Sequence, residues 1–260
     1  MKCSLIITTY NWKEALELCL LSTLKQTVLP DEIIIADDGS KSDTKELIMK
    51  FQKISKIPII HSFQEDDGFR LARSRNLAIS KSSSEYIIII DGDMILHKNF
   101  VKNHLGCAKK EHYLQGSRVI LDKVYSQNLI KKQSIDVNLF HSNVKNRLNG
   151  FYLPFLSALI CLKIKTSHKG VRGCNFSFFK KDCIAVNGFN EDFTTWGRED
   201  SEFIERLYNK GIKRINIKFS AIQYHIYHNE GNTNQHNDSI LQNTMQQKLS
   251  WCENGINKHL

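Results

Sequence analysis

At 260 residues, 41% of them hydrophobic and 24% charged, the chain has enough apolar material for a sizeable core and too much to be disordered throughout. Its formal charge of +9 is concentrated in residues 101–170, where twelve Lys or Arg meet three acids; such a stretch suits a solvated basic surface, nucleic acid, an anionic membrane or a phosphorylated acceptor. Seven cysteines without a CxxC pair argue against a disulfide framework, and the longest strongly apolar run, 151–162, is interrupted by Pro154 and falls short of the roughly 20 residues that span a bilayer.

In chain order, Met1-Lys2-Cys3 opens onto a first strand, Ser4–Thr9, whose apolar run is too short for a signal peptide. A helix is predicted over Trp12–Lys25, a second strand over Glu32–Ala36, a helix over Asp43–Ile54 and a third strand over Ile57–His61. A helix over Arg70–Ser80 and a strongly β-branched fourth strand over Glu85–Ile90 follow. This alternation predicts an α/β fold with a mostly parallel central sheet flanked by helices. Residues 101–150 read as mainly helical and basic, 171–179 as a strand, and Glu199–Lys210 as a helix stopped by Gly211. Arg214–Phe219 and Ala221–Tyr227 read as extended, and Asp238–Cys252 as a terminal helix. No repeat, low-complexity tract or linker divides the chain, so one domain over 1–260 is expected.

Polar residues follow the strands: Thr9-Tyr10-Asn11, Asp37-Asp38-Gly39-Ser40 and Asp91-Gly92-Asp93. Ligands of open α/β sheets bind at the carboxyl ends of strands, where these three groups converge. Asp91-Gly92-Asp93 reads either as an acidic turn or as oxygen ligands for a divalent cation such as Mg²⁺ or Mn²⁺ carrying a diphosphate. Asp37-Asp38-Gly39-Ser40 reads either as a turn or as a site for a ribose or the donor edge of a base. Arg70, Arg73 and Arg75 open a predicted helix, where they form either a phosphate site or a solvated basic face. Trp196-Gly197-Arg198-Glu199-Asp200 sets a flat apolar ring beside two carboxylates at a helix start. Capping accounts for the acids but not for the Trp-Gly before them. His225 and His228 lie three apart, so both can ligate one metal only if the backbone leaves regular strand geometry there.

Ser4-Leu5-Ile6-Ile7-Thr8-Thr9-Tyr10-Asn11, Asp37-Asp38-Gly39-Ser40, Arg75-Asn76 and Asp91-Gly92-Asp93 together resemble the donor-binding half of glycosyltransferase family 2. The stretch from Gly188-Phe189 through Trp196-Gly197-Arg198-Glu199-Asp200 to His228 is similar to β-1,4-galactosyltransferases and bacterial chondroitin-type polymerases, as is Gln64-Glu65-Asp66-Asp67-Gly68-Phe69-Arg70 to the polymerases. The resemblance spans residues 4–100 and 171–230 and leaves the basic middle unmatched. It implies the single-domain nucleotide-sugar-binding fold, with a donor half at 1–100, a basic, mainly helical segment at 101–170 and an acceptor-binding and catalytic half at 171–260.

Carried onto this sequence, the resemblance implies that Tyr10 and Asp38 hold the uracil or ribose, with Thr9 in the same motif and Arg75 near the donor. Asp91 is implied close to the ribose or the metal's water shell, and Asp93 as a ligand of Mn²⁺ or Mg²⁺. His228 matches the late metal ligand, with His225 as the competing candidate. Asp200 is the implied catalytic base, Glu199 its acceptor-binding partner, and Trp196-Gly197 part of a sugar-facing loop. Arg198 departs from the glycine of the animal β-1,4-galactosyltransferases, which puts their acceptor specificity in doubt.

The expected activity is inverting transfer of a hexose or N-acetylhexosamine from a UDP-sugar to a glycan or lipid-linked glycan in bacterial surface polysaccharide synthesis. The length fits one transferase domain, so alternating polymerisation is not expected. The expected location is the cytoplasm, with peripheral contact at the inner face of the cell membrane through residues 101–170 and the run 151–162. The alternative is a non-catalytic sugar- or nucleic-acid-binding module. A degenerate module would lack the base or metal ligands, yet Asp93, Asp200 and His228 are all present; residues 101–170 show no basic–aromatic pattern, so no nucleic-acid partner is expected. A nucleotidyltransferase would carry a glycine-rich loop after the first strand, where Thr8-Thr9-Tyr10-Asn11-Trp12 stands.

Overall fold

The structure is a computed structural model that describes residues 1–162, 164–165, 173–229, 231 and 234–260. Lys163, Lys169 and the first two residues of the strand predicted over 171–179 lie outside the described residues. The N-terminal half runs β1 (Cys3–Thr9), α1 (Lys13–Leu24), β2 (Glu32–Asp37), α2 (Ser42–Ile54), β3 (Ile59–Phe63), α3 (Leu71–Lys81), β4 (Tyr86–Asp91) and β5 (Met94–Leu96). Strands β1, β2 and β4 are buried almost throughout, on both faces, which is why they read as continuous Ile-rich runs rather than alternating ones. β3 starts two residues later than predicted because Pro58 has no N–H to donate; its carbonyl instead accepts from Ile33.

The middle segment contributes α4 (Phe100–Cys107), β6 (His112–Gln115), β7 (Val119–Leu121), α5 (Lys123–Lys132), β8 (Val144–Lys145), α6 (Pro154–Cys161) and β9 (Ile164–Lys165). Within 101–150, read as mainly helical, α-helix covers only 101–107 and 123–132, less than half, and the short strands between the helices were not expected. The chain continues through β10 (Asn175–Phe179), α7 (Lys180–Ile184), α8 (Glu199–Asn209), β11 (Lys213–Asn216), β12 (Gln223–His225) and α9 (Gln235–Gln246). β11 stops at Asn216, short of Phe219, because Phe219 and Ala221 take positive φ and turn the chain. The terminal helix ends at Gln246 rather than Cys252: Lys248 is left-handed, and the Leu249 N–H closes back on the Thr244 carbonyl.

Two sheets result among the described residues. The larger has the order β3-β2-β1-β4-β10-β6-β11-β9, parallel from β3 through β4, with β10 antiparallel to both β4 and β6. The smaller has the order β5-β12-β7-β8. From β1 the chain proceeds outward through β2 and β3 and then returns to place β4 on the other side of β1. The strand order therefore reverses between β1 and β4, which opens a crevice at their carboxyl ends.

Candidate active site

That crevice is a cleft of about 640 Å³, lined by Thr9, Tyr10, Asp38, Arg75, Asp91, Asp93, Trp196, Gly197, Glu199, Asp200, His225 and His228. Of the three arginines at the start of α3 only Arg75 reaches it: Arg70 pairs with Asp67, and Arg73 donates to Gln64 Oε1 at 2.8 Å, outside the cleft lining. Glycine is required where two motifs turn. A Cβ on Gly92 would lie 2.6 Å from the Thr8 carbonyl oxygen, which already accepts the Gly92 N–H at 2.8 Å. Gly39 has φ +93°, and a Cβ there would lie 2.5 Å from the Asp66 Cα. The acidic motifs are thus tight turns and cleft walls at once.

In the cleft lining Asp38 is buried, accepting the Arg70 backbone N–H at 3.0 Å and a hydrogen bond from the Gln64 amide. Burial pushes its carboxyl up to about 6, and the hydrogen bonds from Arg70 and Gln64 restrain the rise. Tyr10 is half exposed beside it, its hydroxyl donating to Asp66 at 3.1 Å.

The strand register builds the next group. β12 pairs antiparallel with β5 so that His225 faces Met94, one residue after Asp93. The chain leaves the strand at His225; the Ile226 N–H donates to the Asp93 carbonyl at 2.9 Å and the Tyr227 N–H to Ser126 Oγ at 2.9 Å. This bend meets the condition the spacing imposed and brings both imidazoles to one point. His225 Nε2 and His228 Nε2 lie 3.2 and 3.1 Å from Asp93 Oδ2 and 3.1 Å from each other. Burial would raise the Asp93 carboxyl, but the two histidines hold it well below the usual range, and the bond to Asp93 raises His228 to about 9.

These residues fit a divalent cation. Separations near 3 Å match the edge of a coordination shell with bonds of about 2.1 Å, and two imidazoles with one carboxylate form a donor set that transition ions such as Mn²⁺ accept. Asp93 Oδ1 is also buried with no hydrogen-bond partner. Asp93, His225 and His228 are the residues that would hold the ion. The edge of Trp12 packs on His228 with ring centroids 6.0 Å apart.

The start of α8 lines the same cleft. Gly197 and Arg198 both have positive φ, which turns the chain sharply into the helix. Asn237 Nδ2, buried on α9, donates to the carbonyls of Thr195, Trp196 and Gly197 and so fixes this loop. Trp196 keeps 40% of its surface exposed. Asp200 Oδ1 accepts from the Ser201 backbone and hydroxyl, and Oδ2 accepts the Gly173 N–H. Glu199 is buried, and burial pushes it up to about 7, with the Asp200 charge adding to the rise and Arg75 opposing it.

Arg75 links α8 to the end of β4. It is 2% exposed, with Nη1 3.0 Å from Glu199 Oε1, Nη2 3.6 Å from Asp91 Oδ1, and the guanidinium 5.1 Å above the Phe189 ring. Asp91 also accepts from Thr8 Oγ1 at 3.1 Å. Sequence reasoning missed Asn237, Gly173, Gln64 and Trp12. Gly173 acts through its own backbone N–H and Asn237 on the backbone carbonyls of another segment, so neither carries a local motif.

The α/β architecture, with its mostly parallel sheet and the strand order reversing beside β1, is that of an A-type glycosyltransferase. The family model described as glycosyl transferase family 2 matches residues 4–181, and that described as N-terminal domain of galactosyltransferase matches residues 154–229. The chain belongs to glycosyltransferase family 2. The first match runs through the basic middle, which sequence reading had left unmatched.

Among relatives, the chondroitin synthase of Escherichia coli is 28% identical over 85% of this chain and 34% of its own length. This chain therefore spans about a third of that relative's length. An Escherichia coli protein named UDP-Glc:alpha-D-GlcNAc-diphosphoundecaprenol beta-1,3-glucosyltransferase WfaP is 24% identical over 98% of this chain and 88% of its own. The mannosyltransferase PcManGT from Pyrobaculum calidifontis, solved in complex with GDP-Man and Mn²⁺, shares the fold with a TM-score of 0.61 and 15% identity over 88% of this chain and 58% of that one. No helix among the described residues is long and apolar enough to cross a membrane.

Proposed function

We propose that the chain moves a hexose or N-acetylhexosamine from a UDP-sugar to a hydroxyl of a glycan acceptor with inversion, building a bacterial surface polysaccharide from its cytoplasmic side. The observation that carries this reading is that Asp200, the Asp93–His225–His228 cluster, Asp38 and Tyr10 line one cleft. The relatives named for bacterial polysaccharide synthesis support the pathway class, and the UDP-Glc in one relative's name supports the donor. That relative's diphosphoundecaprenol substrate supports a lipid-linked acceptor.

In this reading Tyr10 and Asp38 bind the uridine, with Thr9 beside them, and Arg75 fixes Asp91 against the ribose side of the cleft. Asp93, His225 and His228 hold the cation, which when bound neutralises charge on the diphosphate. Trp196 offers its exposed face to a sugar ring, and the Gly197 turn keeps it at the rim. Asp200, held in orientation by Gly173 and Ser201, takes the proton of the attacking hydroxyl. Glu199, poised near 7 and tied to Arg75, binds a second acceptor hydroxyl. Attack from the side opposite the diphosphate converts an α-linked donor into a β-linked product.

A screen of UDP- and GDP-sugars, scored by nucleotide diphosphate release with and without chelator, tests the proposal. Release from a UDP-hexose or UDP-N-acetylhexosamine that chelator abolishes is expected. Release from GDP-sugars alone would overturn the donor, and indifference to chelator would overturn the metal.

A further inference from the structure

Helix α6 has its amphipathicity inverted. Its sequence, Pro154-Phe-Leu-Ser-Ala-Leu-Ile-Cys161, contains one polar side chain, Ser157, and that side chain is the buried one, bonded to Ser220 Oγ at 2.5 Å. Cys161, one turn later on the same stripe, is half-buried against Cys107. The outward face carries Phe155, Leu156 and Leu159, with Leu162 just beyond, exposed by 91, 42, 63 and 78%. A helix on a water-facing surface normally turns its apolar stripe inward. Exposed Phe140, packed edge-on against Phe151, and exposed Leu148 lie in the chain just ahead. An exposed apolar helix face of this kind marks a binding face.

Charge selects the occupant. From Val137 to Lys181 the sequence contains no Asp or Glu but eight Lys or Arg, among them Lys145 and Arg147 before the helix and Lys163, Lys165, Lys169 and Arg172 after it. A second copy seated on the same face would oppose two such basic segments. An anionic bilayer satisfies both features together, since apolar side chains enter the acyl boundary while the flanking cations meet lipid phosphates. An apolar helix flanked in sequence by basic residues supplies both a hydrophobic and an electrostatic signal for attachment to a membrane surface. We infer that α6 is a monotopic membrane anchor, inserting Phe155, Leu156, Leu159 and Leu162 into the surface of an anionic bilayer. Gly173, whose N–H holds Asp200, follows the basic stretch in the chain, so the anchor and the catalytic wall are joined by one segment. This inference does not depend on which sugar is transferred.

The test is co-sedimentation of the full chain with phosphatidylcholine vesicles, with and without phosphatidylglycerol. Binding is expected only with the anionic lipid, weakening as salt rises. The double variant Phe155→Ser, Leu159→Ser should bind at least tenfold less at an unchanged thermal midpoint, because both side chains are already exposed to water. Lys145→Glu with Arg147→Glu should lower binding severalfold. As a gain-of-signal check, Phe155→Trp should add a blue-shifted emission component when anionic vesicles are present. Undiminished binding by the serine variant, equal binding to neutral vesicles or an emission from Phe155→Trp that anionic vesicles leave unshifted would overturn the inference. A dimer that the serine substitutions dissociate, without vesicle binding by the parent chain, would assign the face to a second copy and also overturn it.

Discussion

Replacing Arg75 with methionine isolates the contact that ties the two halves of the cleft together. The guanidinium is 2% exposed and lies 3.0 Å from Glu199 and 3.6 Å from Asp91, so its removal strands a buried carboxylate. Breaking a buried pair from one side costs about 3–5 kcal/mol because the other charge stays behind. Glu199 has an escape, since burial already pushes it from 4.5 to about 7 and it can take up a proton. Without Arg75 that carboxyl rises further, so the folded state binds more protons than the unfolded state and the variant's stability falls as pH climbs. The expected loss against wild type is about 1–2 kcal/mol at pH 5.5, where only hydrogen bonds and the stacking on Phe189 are missing, and about 2–3 kcal/mol at pH 8, because a rise of Glu199 beyond 7 adds about 1.4 kcal/mol for the one pH unit up to 8. Urea unfolding at the two pH values measures both. Equal losses at the two pH values, or a loss under about 1 kcal/mol at pH 8, would refute the reasoning.

Asp38 predicts a second pH dependence. Its folded carboxyl is raised from 3.8 to about 6, so its contribution lowers stability by roughly 2–3 kcal/mol as pH rises through that interval, and Asp38→Asn should flatten this slope in unfolding curves. UDP affinity measured by calorimetry should strengthen as pH passes 6 in wild type and lose that dependence in the variant. Gly92→Ala forces a Cβ to within 2.6 Å of the Thr8 carbonyl, so a loss of about 1–3 kcal/mol in thermal unfolding is expected; a neutral result would mean the turn yields. His225→Ala and His228→Ala should each weaken Mn²⁺ binding at least tenfold by calorimetry, and wild-type affinity in either would remove that histidine from the ligand set.

The parallel half of the fold was legible because β1, β2 and β4 are buried on both faces and their Ile runs end in polar motifs. The strands β6, β7 and β8 were not, because two to four residues flanked by helices carry no readable period. The end of α9 was lost for a related reason: Lys248 adopts the left-handed conformation without the glycine that would announce it. At the site, motif spacing brought out every acid and histidine that lines the cleft. The choice between His225 and His228 stayed open because spacing alone does not reveal the bend after β12 that brings both to Asp93. Asn237 was invisible because it acts on three backbone carbonyls some forty positions away.

In the proposed inverting transfer, Asp200 accepts the proton of the attacking hydroxyl. The most direct test of this mechanism is transfer by Asp200→Asn with the donor that the screen identifies, measured beside UDP affinity and the anomeric configuration of the wild-type product. A rate lower by about 10²–10⁴-fold, unchanged UDP affinity and a β-linked wild-type product are expected. Full transfer by the variant, or an α-linked product from an α-linked donor, would contradict it.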